Sequence, residues 1–128
     1  MKFGYTIIYV SDVKSTMDFY EKAFGFQTKF LDESNRYGEL ETGTTALAFV
    51  AESMAVANGC EITQNTLQAP AAGIEIAFVS DDVQGSYAHA LEAGCVPVKS
   101  PETKPWGQVV AYVRDMNGVL VEICSTIG

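Results

Sequence analysis

Apolar positions along this chain switch between two periods, and the order of the switches occurs twice. Tyr5-Thr6-Ile7-Ile8-Tyr9-Val10 is a β-branched and aromatic run that reads as a strand buried on at least one face. Asp12 then offers an N-cap, Val13, Met17, Tyr20 and Phe24 recur at helical spacing, and Lys14, Asp18, Glu21 and Lys22 fill the other side. Gly25 supplies the left-handed residue that closes this amphipathic helix. Strands are expected over 26–31 and 36–41, around the polar turn Asp32-Glu33-Ser34-Asn35, and over Thr45–Val50.

The same order begins again at Gly73-Ile74-Glu75-Ile76-Ala77-Phe78-Val79. Asp81 or Asp82 caps a second helix with Val83, Tyr87, Ala90 and Leu91 on its apolar side, and Gly94 ends it. Val96–Lys99 reads as a short strand, Ser100–Pro105 as a polar loop interrupted by prolines, and Gln108–Arg114 as a strand of alternating character. Asp115-Met116-Asn117-Gly118 turns the chain into a last strand, Val119–Cys124. The capping residues Asp12 and Asp82 stand 70 positions apart. Neither βαβββ unit alone would bury both faces of so small a sheet, so the repeat points to one domain built by duplication. The expected class is α+β, with two tandem βαβββ units forming a cupped mixed sheet. Unit one is 1–51, the linker 52–72 and unit two 73–128. Within the linker Ser53–Ala57 has the length of one helical turn, and the rest, rich in Asn, Gln, Gly and small residues, is either a lid over a binding wall or a plain connector.

Composition narrows the function classes. At 128 residues and 48% hydrophobic content the chain can form an ordinary core. No stretch approaches the ~20 apolar residues of a membrane span. The first residues lack a basic region followed by an apolar stretch, so a cytoplasmic location is expected. Sixteen acidic against eight basic residues give a formal charge of −8, which disfavours nucleic acid and anionic membranes as partners. An acidic surface serves solubility; lining a groove, it would concentrate a cationic small molecule. Cys60, Cys95 and Cys124 are odd in number and contain no CxxC pair, so all three are expected to be reduced, buried thiols. No GxGxxG, Walker-type loop or GxSxG elbow occurs, and His89, the one histidine, lies mid-helix as a surface or packing residue.

The segments Tyr9-Val10-Ser11-Asp12-Val13, Phe78-Val79-Ser80-Asp81-Asp82-Val83, and above all Lys104-Pro105-Trp106-Gly107-Gln108 with Arg114-Asp115-Met116-Asn117-Gly118-Val119-Leu120-Val121-Glu122-Ile123, resemble the vicinal oxygen chelate superfamily. That superfamily includes glyoxalase I, extradiol dioxygenases and bleomycin-resistance proteins. The resemblance implies a site in the sheet cup, where side chains from the first and last strands of each unit converge on a divalent ion in metal-dependent members. It places Tyr5 and Glu75 where each unit's first strand usually carries a histidine, Glu122 at the final-strand carboxylate, and Phe49 near the remaining position. Two carboxylates, a phenol and a hydrocarbon ring do not make a tight metal site. Glu75 and Glu122 with waters would hold magnesium or manganese weakly at most, so no cofactor is expected.

Each of these positions has a plainer reading. Glu75 and Glu122 sit in alternating strands and could face solvent, or pair with Arg114 or Lys104. Facing each other in an apolar cup, they would instead have at least one raised pKa and could serve as acid and base. Trp106 either packs its loop or stacks on a planar or cationic ligand, with Gln108 as a polar neighbour and Tyr37 as a second aromatic wall. The reading that follows is a glyoxalase- and bleomycin-resistance-like protein that binds a small, cationic or aromatic molecule without a tight catalytic metal. The alternative is a metal-dependent lyase, isomerase or dioxygenase using Glu75 and Glu122. The resemblance also implies a homodimer.

Overall fold

Each half of the chain forms a four-stranded mixed sheet with a helix packed on one face. The structure is a computed structural model, described here over residues 1–127. The elements are β1 (Tyr5–Val10), α1 (Val13–Phe24), β2 (Thr28–Leu31), β3 (Tyr37–Leu40), β4 (Ala46–Ala51), α2 (Glu52–Ala57), β5 (Glu75–Val79), α3 (Val83–Glu92), β6 (Val96–Thr103), β7 (Val109–Arg114) and β8 (Leu120–Cys124). The strand orders are β1-β4-β3-β2 and β5-β8-β7-β6, with one parallel pair in each sheet, β1 with β4 and β5 with β8. The duplication read from the sequence is therefore repeated strand for strand, as two separate sheets. The chain divides between Gln64 and Asn65, so α2 belongs to the first unit and the remainder of the linker to the second.

The caps act where the sequence put them. The Asp12 carboxylate accepts from the Ser15 amide, that of Asp82 accepts from the Gly85 amide, and Gly25 takes φ 77° at the end of α1. Val13, Thr16, Met17, Tyr20 and Ala23 form the buried stripe of α1. This stripe lies so close to the sheet that a Cβ on Gly38 would stand 2.8 Å from the Met17 sulfur. Phe49 is fully buried, with its ring centroid 4.7 Å from that of Tyr20. In the second unit Ala111, Val113, Val121 and Ile123 are the corresponding buried positions of β7 and β8.

Two expectations about elements change. The polar loop at Ser100–Pro105 is largely strand: β6 runs from Val96 to Thr103. Proline is tolerated there because β6 is an edge strand whose register against β7 shifts between Pro97 and Lys99 and again between Lys99 and Glu102. The possible lid is anchored along part of its length, since Arg114 Nη2 donates to the carbonyls of Thr66 (3.1 Å) and Ala69 (2.8 Å). Arg114 Nε also donates to Gly118 O at 2.9 Å. Gly118 has φ 88°, and a Cβ there would lie 2.5 Å from Thr66 O, so glycine lets the linker seat on the β7–β8 turn. Among the described residues no helix is long and apolar enough to cross a membrane.

Candidate functional site

Alternation along the strands leaves each sheet with a face that its helix does not cover. In the second sheet Glu122 is opposite Tyr112 on β7 and Ala77 on β5, and Glu75 is one pair further along. Side chains paired across strands share a face, so Glu75, Glu122, Tyr112 and Cys124 gather on the side away from Val113, Val121 and Ile123.

Glu122 is the acceptor at the centre of this group. Burial raises the Glu75 pKa above its ordinary 4.5, and a hydrogen bond to Glu122 and the Glu122 charge raise it further. Glu75 thus holds a proton to higher pH than a free glutamate and, when protonated, donates it to Glu122. The Tyr112 phenol is raised by burial first and then by hydrogen bonding to Glu122. Burial and the same carboxylate push the Cys124 thiol up to about 11. A carboxyl group, a phenol and a thiol, each holding its proton to higher pH than usual, thus converge on one carboxylate.

Trp106 and Gln108 border this group through Gln108. Trp106 Nε1 donates to Gln108 Oε1 at 2.9 Å, and Gln108 Nε2 donates to Ser125 O at 2.9 Å. Gln108 is buried and hydrogen-bonds near Cys124, whereas the Trp106 ring is 61% exposed. The indole is therefore held by its N–H while its ring is presented to solvent.

In the first sheet the matching register is Ile7 with Ala48, as Ala77 is with Glu122. Ala48, not Phe49, occupies the place that Glu122 holds in the second unit. Phe49 is one residue out of phase and points into the helix-packed core, which corrects its assignment as a ligand-binding wall. Tyr5 matches Glu75 and is 60% exposed. Tyr37 is opposite Val50, which makes it the counterpart of Val110 rather than of Trp106. Its hydroxyl donates to Glu39 Oε1 at 2.9 Å, and burial followed by that contact pushes its pKa up to about 12. Glu39, opposite Ala48, is the counterpart of Tyr112.

Glu39, Tyr112 and Cys124 were not among the residues expected at the site. Counting back and forward from the Asn117-Gly118 turn pairs Tyr112 with Glu122 and would have found the first neighbour of that carboxylate. No comparably tight turn fixes Glu39. Arg114 bonds the backbone carbonyls of Gly118, Thr66 and Ala69, and Lys104 lies 3.6 Å from Glu102, so the partners of both cations lie away from the carboxylate pair. His89 is exposed. Cys95 and Cys124 are buried free thiols as expected, but Cys60 is exposed, a correction that follows from its place in the polar linker.

The donor set does not fit a closed divalent-metal site. Among the described residues no three His, Cys, Asp or Glu side chains are arranged to hold an ion. The second sheet brings two carboxylates within hydrogen-bonding reach of each other, and the adjoining thiol would have to ionise far below its pKa to coordinate.

A duplicated βαβββ fold with open sheet faces defines a class, and the comparison of sequences agrees with it. The chain belongs to the Glyoxalase/Bleomycin resistance protein/Dioxygenase superfamily, whose model matches residues 2–123. It is 28% identical over 117 residues to the uncharacterized protein YraH of Bacillus subtilis (strain 168), covering 89% of this chain and 90% of that one. Among solved structures, a glyoxalase-related enzyme from Fulvimarina pelagi is similar with a TM-score of 0.84 at 17% identity, over 98% of this chain and 88% of that chain. TioX from Micromonospora sp. ML1 is similar with a TM-score of 0.72 at 21% identity, over 98% of each chain. At such identities the structural likeness concerns the fold.

Proposed function

We propose that this protein binds a small organic molecule on the open face of its second sheet, through Glu75, Glu122, Tyr112, Gln108 and Trp106, without a tightly held catalytic metal. The observation that carries this reading is the convergence of Glu75, Tyr112 and Cys124 on Glu122. A carboxylate already accepting from neighbouring acids is committed to proton sharing, which disfavours metal ligation and favours a ligand with its own donors or positive charge. The exposed Trp106 ring adds a surface for stacking or for a cation, at small entropic cost because Gln108 fixes the indole. The homodimer belongs to the same proposal.

Calorimetry against a panel of cationic and aromatic metabolites tests it. The reading expects one chemical class to bind, with affinity reduced about tenfold or more by Glu122→Gln and by Trp106→Ala. A folded protein that binds no member of the panel would remove it. The second reading, a metal-dependent lyase or dioxygenase, draws on Glu122 at the final-strand position. It requires an ion on Glu75 and Glu122, and full turnover by Glu122→Gln would dispose of it.

A further inference from the structure

The open face of the first sheet carries a different arrangement. Glu39 keeps only 13% of its side chain exposed, and its two oxygens have different partners. Oε1 accepts from the Tyr37 hydroxyl at 2.9 Å, while Oε2 faces Lys29 Nζ at 3.4 Å. Around them stand Phe30, whose ring centroid is 6.2 Å from that of Tyr37, and Tyr5, close enough to influence the Tyr37 phenol. Phe30 is 52% exposed and Tyr5 60%. Between the strands of Tyr5 and Tyr37 the register places the small side chains of Ala46 and Ala48 on the same face.

We propose that this face is a cation subsite, in which Glu39 takes the ammonium or guanidinium group of an organic ligand and Tyr5, Phe30 and Tyr37 flank that group's apolar part. The proposal rests on reading the open sheet faces as ligand-binding surfaces and adds the charged group that this face selects. A carboxylate with little access to water attracts a cation more strongly than an exposed one does, and aromatic faces within about 6 Å add to the attraction. Lys29 marks the position of the cation. Its side chain is 53% exposed on a flexible stem, and an ion pair of that kind contributes little stability, so a ligand ammonium displaces it readily. Tyr37, a phenol that stays protonated across the neutral range, fixes the carboxylate's other oxygen and aims Oε2 at the incoming charge. At the positions of Glu75 and Glu122 this face carries Tyr5 and Ala48, so the carboxylate pair of the second sheet is not repeated here. A cation therefore meets no proton shared between two acids there.

Benzylammonium and its neutral analogue benzyl alcohol are the probes, each titrated into the full chain and followed by amide chemical shifts. Benzylammonium is expected to move the amides of β2 and β3 and to bind at least about tenfold more tightly than benzyl alcohol. Lys29→Met should tighten benzylammonium by about threefold to tenfold by removing the internal competitor. Glu39→Gln should abolish the preference for the charged probe, with the remaining spectrum unchanged to show an intact fold. Equal binding of the two probes, weaker binding by Lys29→Met, or shifts confined to β7 and β8 would each overturn the proposal. Glu75→Gln should leave the β2 and β3 response as it is. Failure of the calorimetric panel at the second sheet is thus read on other strands and is distinct from failure here.

Discussion

Glu75 binds its proton more tightly in the folded chain than an isolated glutamate does, and this sets the sign of its contribution to stability. The folded pKa lies above 4.5 because burial and the neighbouring Glu122 disfavour a second negative charge. The native state therefore holds more protons than the unfolded one between the ordinary and the raised value. Stabilisation from the pair is complete below about 4.5 and is lost as pH rises through the raised pKa. Asp12, Asp32 and Glu102 have lowered pKa values and act in the opposite direction, so the difference between wild type and Glu75→Gln isolates the pair. Urea unfolding at a series of pH values should show wild type losing stability relative to Glu75→Gln as pH rises from 4 towards 7, and a flat difference would contradict the shared proton. The thiols give a second expectation. Burial pushes Cys95 to about 12 and Cys124 to about 11, whereas Cys60 is exposed. A thiol reagent at about pH 8 should label one cysteine per native chain quickly and the other two only after denaturation; peptide mapping should find the fast label on Cys60.

The elements show which sequence signals were strong enough to read. Helices α1 and α3 were legible because a capping aspartate, a periodic apolar stripe and a closing glycine agree. Phe49 was misplaced because the hairpins of the two units differ in length, and a slip of one residue in a strand moves a side chain to the opposite face. Strand β6 was read short because proline and serine suggest a loop, whereas an edge position with register shifts accepts them. The β7–β8 turn carries more than a reversal of direction. Gly118→Ala would combine a positive φ with a Cβ 2.5 Å from Thr66 O and 2.7 Å from Arg114 Nη2. It should cost about 2 kcal/mol or more. The seat of residues 65–72 would be lost as well, so limited proteolysis should cut there sooner than in wild type. Unchanged cleavage would show that Arg114 does not hold this segment.

At the scale of the whole molecule, duplication was the clearest message of the sequence, and the strand orders β1-β4-β3-β2 and β5-β8-β7-β6 repeat it. The two units have nevertheless diverged on their open faces. Each keeps a tyrosine hydrogen-bonded to a glutamate, Tyr37 with Glu39 and Tyr112 with Glu122, but the carboxylate sits on β3 in one and on β8 in the other. The positions of Glu75 and Glu122 could be inferred from the repeat and the family resemblance, whereas their phenol and thiol neighbours depended on strand register, which composition does not reveal. The central claim is that the Glu75–Glu122 pair shares a proton and serves ligand binding rather than holding a catalytic ion. Its most direct test is the metal content of the purified chain by plasma mass spectrometry, after incubation with zinc, nickel, manganese and magnesium and subsequent desalting. The account predicts less than about a tenth of an equivalent of each metal. Near-stoichiometric metal that disappears in both Glu75→Gln and Glu122→Gln would contradict it and make the second sheet a metal centre.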